Sequence, residues 1–174
     1  MTLATSGTIF FCIQSGKVNS MRKSILQAPA VTGPIDSPGL NLEEIAQIEL
    51  SSEDAQYPFE HALRSTLDGW KASTAGPQVI RVLFDHPQSI SRIQLQFCER
   101  SRERSQEFAI FATSAGQRRN VVRQQWTFSP DHSPVENEDY TVNLSAVSVL
   151  ELEIDPGRHD KQAFATLQFI ALSA

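Results

Sequence analysis

The sequence predicts an all-β fold, an antiparallel sandwich or barrel, from two observations and one absence. Apolar residues recur at every second position in short blocks from Ile45 onward, which is the period of a strand whose side chains alternate between two faces. Turn residues separate the blocks, and no long amphipathic helical pattern lies between them, as a βαβ fold would require. About eight strands follow from this rhythm. They are placed in a domain over residues 41–174, preceded by an N-terminal extension and linker over residues 1–40.

The extension is punctuated by Pro29, Gly33, Pro34, Pro38 and Gly39, residues that interrupt regular structure. Its apolar stretch Thr8 to Ile13 is shorter than a secretory h-region and lacks a basic segment before it, so a cleaved signal is not expected. A start-like run, Met21-Arg22-Lys23-Ser24-Ile25-Leu26, makes Met21 the expected natural start, which N-terminal sequencing would check.

In the domain, Pro58 to Arg64 is the one helical candidate, with Pro58 early and Glu60 near the positive N-terminal end. Ile80, Val82 and Phe84 then alternate with Arg81 and Leu83, and Asp85-His86-Pro87-Gln88 reads as a turn into Ser91 to Phe97. There Ile93, Leu95 and Phe97 face one way and Arg92, Gln94 and Gln96 the other, so the two blocks are expected to be antiparallel neighbours. Shorter blocks follow at Phe108 to Ala112, Val122 to Phe128 and Tyr140 to Leu144. In Ser148 to Asp155 the residues Leu150, Leu152 and Ile154 are expected inside, with Glu151 and Glu153 in water. Ala163 to Ala171 is apolar on both faces, as a strand inside a sheet would be. The expected core comprises Leu95, Phe97, Phe108, Ile110, Leu150, Leu152, Leu167 and Phe169.

Composition narrows the function classes. Of 174 residues, 15 are Lys or Arg and 20 are Asp or Glu, giving a formal charge of -5, which argues against a phosphate-coating nucleic-acid binder. No apolar run approaches the ~18 residues of a membrane-spanning helix, so no membrane partner is expected and cytoplasm is the default compartment. Cys12 and Cys98 have no closely spaced Cys or His partners, so zinc is not expected, and both thiols are read as free and buried, with a disulfide between them as the alternative that geometry decides. His61, His86, His132 and His159 are scattered without metal spacing and are read as turn or surface residues. Trp70 and Trp126 are read as core aromatics. No nucleophile elbow, phosphate loop or dinucleotide fingerprint is present, so no enzyme is expected.

The order of signals from Ile48 to Ala171 resembles the discoidin, or coagulation-factor type C, group of galactose-binding-like jelly rolls. The residues that carry the resemblance are Glu49-Leu50-Ser51-Ser52, Phe59-Glu60-His61-Ala62-Leu63, Asp68-Gly69-Trp70-Lys71-Ala72-Ser73, the strand Gln78 to Phe84, and Glu107 to Ser114 before Ala115-Gly116. The resemblance implies a jelly-roll sandwich that binds a ligand without catalysis. Relatives that hold a structural calcium use an acidic, Gly-containing loop at the early turn. Asp68-Gly69 is a fragment of one, so no cofactor is expected, calcium remaining the one open case.

The leading expectation is therefore a module that recognises a carbohydrate or another polar ligand through loops at one end of the sandwich, around Tyr57 to Arg64, Cys98 to Arg104 and Ser129 to Asp139. A protein-interaction module is the alternative, and a nucleic-acid accessory domain, suggested by Arg118, Arg119 and Arg123 together with the loop arginines, is the third. The candidate ligand-binding residues are Arg102, Arg100, His61, Tyr57 and Arg64. Arg102 leads because it lies in the middle of the charged run Glu99 to Glu107 and its guanidinium offers two parallel donors to vicinal hydroxyls or a carboxylate.

Overall fold

Strand propensity and alternation produce an eight-stranded antiparallel sandwich in the computed structural model, which describes residues 39–64, 68–157 and 160–174. All of them lie in the second of the two units into which the chain divides, Pro34–Ala174. The expected extension, the Met21 start, Cys12 and His159 lie outside the described residues.

The elements run α1 (Leu42–Ile45), β1 (Ala46–Leu50), α2 (Glu60–Leu63), β2 (Trp70–Ala75), β3 (Gln78–Cys98), β4 (Arg104–Ser114), β5 (Gln117–Phe128), β6 (Val135–Asp155), β7 (Phe164–Leu167) and β8 (Phe169–Ser173). One sheet has the order β1-β3-β6-β4-β5, with β8 also paired to β3, and a second sheet pairs β2 with β7. Expected core residues Leu95, Phe97, Phe108, Ile110, Leu150, Leu152 and Leu167 are buried, together with Trp70, Phe128 and Ile154.

The predicted turn at Asp85 to Gln88 is not a turn between neighbours. Both flanking blocks belong to the single 21-residue strand β3, and each pairs with β6. The ladder shifts register between Leu83 and Arg92, and across that stretch the buried set changes from Ile80, Val82 and Phe84 to Ile93, Leu95 and Phe97. Unpaired residues at a bulge reverse which parity faces the core. Pro87, which has no N–H to give, sits in this irregular part. The same physics joins Tyr140 to Leu144 and Ser148 to Asp155 into β6, where Ala146 takes a φ of 52°.

The last expected strand is two strands. β7 pairs with β2, the chain crosses at Gln168, whose N–H donates to the Gln96 carbonyl at 2.8 Å, and β8 pairs with β3. The crossing resets the alternation, so Ile170 and Leu172 are buried while Phe169 is only half-buried. Nor does this segment lie inside a sheet: among the described residues, the far side of β8 meets only the isolated bridge from Gly39 to Ser173.

Glu151 is a further correction. It points away from the core as expected, yet it is only 8% exposed because Arg81 and Arg118 close over it, each donating at 2.5 Å. Burial alone would raise its pKa, but these two guanidinium groups hold it below the usual carboxylate range. Glu153 is more open and receives Arg118 at 2.7 Å. Because both arginines remain about half exposed, water screens the attraction. Glu151→Gln is expected to cost about 1 to 2 kcal/mol in urea unfolding and Glu153→Gln less than about 0.5 kcal/mol. Equal costs would show that the two arginines do not close over Glu151.

Candidate functional site

At one end of the sandwich the chain builds a cleft of about 600 Å³, lined among others by Tyr57, Lys71, Arg100, Arg102, Phe164 and Gln168. Its first wall is the 51–59 loop, tied to β2 by backbone bonds from the Lys71 N–H to the Tyr57 carbonyl at 3.1 Å and from the Asp54 N–H to the Lys71 carbonyl at 2.9 Å. The Glu53 carboxylate accepts the Phe59 N–H at 2.7 Å and so fixes the turn into α2. Tyr57 is thereby set beside Lys71. On the other side of Lys71 stands Phe164 of β7, the large hydrophobic residue left 40% exposed. The Lys71 ammonium lies 5.6 Å from the centre of each ring, within the range at which a ring face attracts a cation.

The opposite wall is the 99–102 loop, which is held from beneath. Arg104 is a buried side chain whose Nε donates to the Glu99 carboxylate at 2.8 Å, whose Nη1 donates to Gln106 and to the Pro156 carbonyl, and whose guanidinium lies 5.1 Å from the Phe128 ring centre. Glu99 also accepts the Ser101 N–H at 2.7 Å and the Ser101 hydroxyl. Burial would raise the Glu99 pKa, but the hydrogen bonds from Ser101 and Arg104 bring it down to about 2. The carboxylate is thus committed to its own loop, and the loop is a braced edge on which Arg100 and Arg102 are presented. The Thr166 hydroxyl donates to the Cys98 carbonyl at 3.2 Å and closes the base. Trp70, wholly buried, packs below, and Cys98 is a half-buried free thiol.

The structure brings Tyr57, Arg100 and Arg102 to this cleft, while His61 and Arg64, both on or beside α2, are not among its lining residues. Arg64 instead pairs with Glu43 at 2.6 Å, and Arg102 pairs with Asp160 at 2.7 Å. Arg104, read as the end of the Cys98 to Arg104 loop, is a buried brace. Glu136, Glu138 and Asp139, read in the 129–139 loop, lie in β6. Asp139 is held by Arg92 at 2.5 Å.

Lys71 was missed by pattern reading because β2 is too short and too mixed in polarity to show alternation, and Phe164 of β7 was missed because its block reads as a strand apolar on both faces, inside a sheet. The signal for Lys71 was the Asp68-Gly69-Trp70-Lys71 run. The arginines of β5 do not add to the cleft: Arg118 pairs with Glu151 and Glu153, and Arg123 with Glu107. Among the described residues no group of three or more His, Cys, Asp or Glu side chains is placed to hold a metal ion. No helix among them is long and apolar enough to cross a membrane.

Solved structures share this architecture, carbohydrate-binding modules of family 32 among them. The family 32 carbohydrate-binding module of C. perfringens NanJ, in complex with galactose, has a TM-score of 0.58 and 17% identity, covering 78% of this chain and 98% of that chain. A pectin-binding carbohydrate-binding module has a TM-score of 0.54 and 18% identity, covering 75% and 91%. Reduced XRCC1 bound to the DNA pol beta catalytic domain has a TM-score of 0.54 and 12% identity, covering 79% and 99%. At these identities the likeness is one of fold. No protein-family model matches the sequence, and no curated protein matches it.

Proposed function

We propose that this chain is a non-catalytic carbohydrate-binding module that holds a glycan in the cleft between the 51–59 and 99–102 loops. The observation that carries this reading is the pair of rings, Tyr57 and Phe164, standing at a polar cleft with Lys71 between them. The C–H face of a sugar ring packs on an aromatic face, while hydroxyls are held by charged side chains at the rim. The carbohydrate-binding neighbours support the same reading by fold. A glycan array run with and without calcium tests it, followed by calorimetry on the sugars retained. Phe164→Ala is expected to weaken binding by about 1 to 3 kcal/mol with little change in thermal midpoint, since an exposed ring contributes little to the core. Unchanged affinity would move the site elsewhere.

A second reading, a protein-interaction module, is favoured by XRCC1, whose same fold is seen bound to a protein. It predicts an empty glycan array and a partner captured through the same loops.

A further inference from the structure

The charge inventory of the cleft selects among sugars. Of the cleft's charged groups two are already used: the Glu99 carboxylate receives Arg104 and Ser101, and the Arg102 guanidinium is paired with Asp160. Among the described residues, no carboxylate oxygen lies within 4.0 Å of the Lys71 ammonium or the Arg100 guanidinium. Of the two lining carboxylates, Glu99 is paired and Asp68 stands outside the ion pairs described. Lys and Arg are donors without acceptor capacity. A ligand seated on the two rings would cover Lys71 and strip water from it, and a neutral sugar would leave that cation without compensation, which costs free energy. A carboxylate on the sugar would replace the lost water with a charge-assisted bond.

We infer that the glycan bound in this cleft is acidic, a sugar bearing a carboxylate that Lys71 and Arg100 receive while its ring packs against the exposed face of Phe164 or Tyr57. This rests on the carbohydrate-binding reading and names the chemical class of its ligand. The two flat aromatic faces favour a sugar over an acidic peptide, which would be drawn to the cations but would not use the rings.

Calorimetry at low salt with the whole chain tests the inference against galacturonate oligomers, the same oligomers as methyl esters, a neutral galactan oligomer, sialyllactose with lactose, and a glutamate-rich peptide. Methyl esterification keeps the sugar and removes the charge. An acidic sugar is expected to bind at least about tenfold more tightly than its neutral counterpart, a preference that salt weakens. Lys71→Met and Arg100→Gln should each reduce this preference to within about threefold, the acidic sugar losing more affinity than its neutral counterpart. Equal affinity for acid and ester would overturn the acidic assignment and leave the carbohydrate reading standing. Tighter binding of the peptide would overturn the choice of sugar. Failure to bind any sugar, on a chain shown folded by its thermal transition, would overturn both readings.

Discussion

Raising the pH from about 5 to about 8 is expected to weaken this fold, and Glu136→Gln to remove most of that loss. Glu136 lies opposite Phe97 in the β3–β6 ladder and shares its inward face, so its side chain is carried into the sandwich and is only 2% exposed. Neither carboxylate oxygen accepts a hydrogen bond among the described residues, and no cation pairs with it. Burial is the first cause that raises its pKa to about 8, and the second is the hydrogen bond that its protonated form gives to the carboxylate of Glu138. Glu138 itself accepts the Tyr140 hydroxyl, whose own pKa is pushed up by burial and by that carboxylate.

The sign follows from proton counting. Below about pH 4 both folded and unfolded chains carry the proton, and nothing is lost. Between there and about pH 8 the unfolded chain releases it while the folded chain keeps it, so folding takes up a proton and stability falls as pH rises, by at most ~1.4 kcal/mol per unit. Above about pH 8 both forms are ionised and this contribution is flat. Urea unfolding at pH 5, 7 and 9 checks the expectation. The Gln variant, uncharged and of nearly the same volume, should be the more stable protein at pH 8 by roughly 2 to 4 kcal/mol. If wild type and variant show parallel pH profiles, Glu136 has found a partner or water and is not a dry carboxylic acid.

Glu136 also shows why part of the molecule could not be read from its sequence. The run Val135 to Asp139 is polar in composition, and polarity reads as a loop. The structure makes it strand because β3 offers a partner edge of matching length, from Gln94 to Cys98. Tertiary pairing thus overrides local pattern. Where one apolar face is clean, as in Ser91 to Phe97 or Leu150 to Ile154, alternation identified the buried residues directly. It failed at Asp85 to Gln88, where turn chemistry marks an irregularity within a strand. It failed again at Gln168, where the chain changes partner without a turn signal.

The agreement on eight strands hides compensating differences, since two pairs of blocks merged, β2 was unseen and the last block divided. For the cleft, the charged run before β4 pointed to the loop but not to the division of labour within it. Alternating signs do not tell that Arg104 goes inward to brace Glu99 while Arg100 stays out, because that depends on which residue first enters the β4 ladder opposite Phe128.

Gly69→Ala is expected to cost about 2 to 5 kcal/mol, far more than Gly116→Ala, although both glycines have positive φ. Gly69 takes φ 58° and Gly116 φ 75°, a region in which a side chain is strained by roughly 1 to 2 kcal/mol wherever it occurs. The surroundings separate them. A Cβ on Gly69 would come within 2.6 Å of the Leu167 carbonyl oxygen and 2.7 Å of the Gln168 Cα, while a Cβ on Gly116 would meet nothing within 4 Å. Both contacts at Gly69 are backbone, so no side chain can swing aside, and relief requires β2 to move from β7.

That pairing aligns Trp70 with Leu167 and Lys71 with Thr166, so the displaced strand is the one that carries Lys71 between its rings. Gly116→Ala should therefore cost only about 1 kcal/mol in urea unfolding and leave glycan affinity untouched. Gly69→Ala, in whatever fraction remains folded, should weaken binding as well, because the aromatic wall and the 99–102 loop would no longer face each other at the same separation. Costs within about 0.5 kcal/mol of one another would show that the β7–β8 crossing yields to a methyl group, and that the floor of the cleft is not held by this close approach of two backbones.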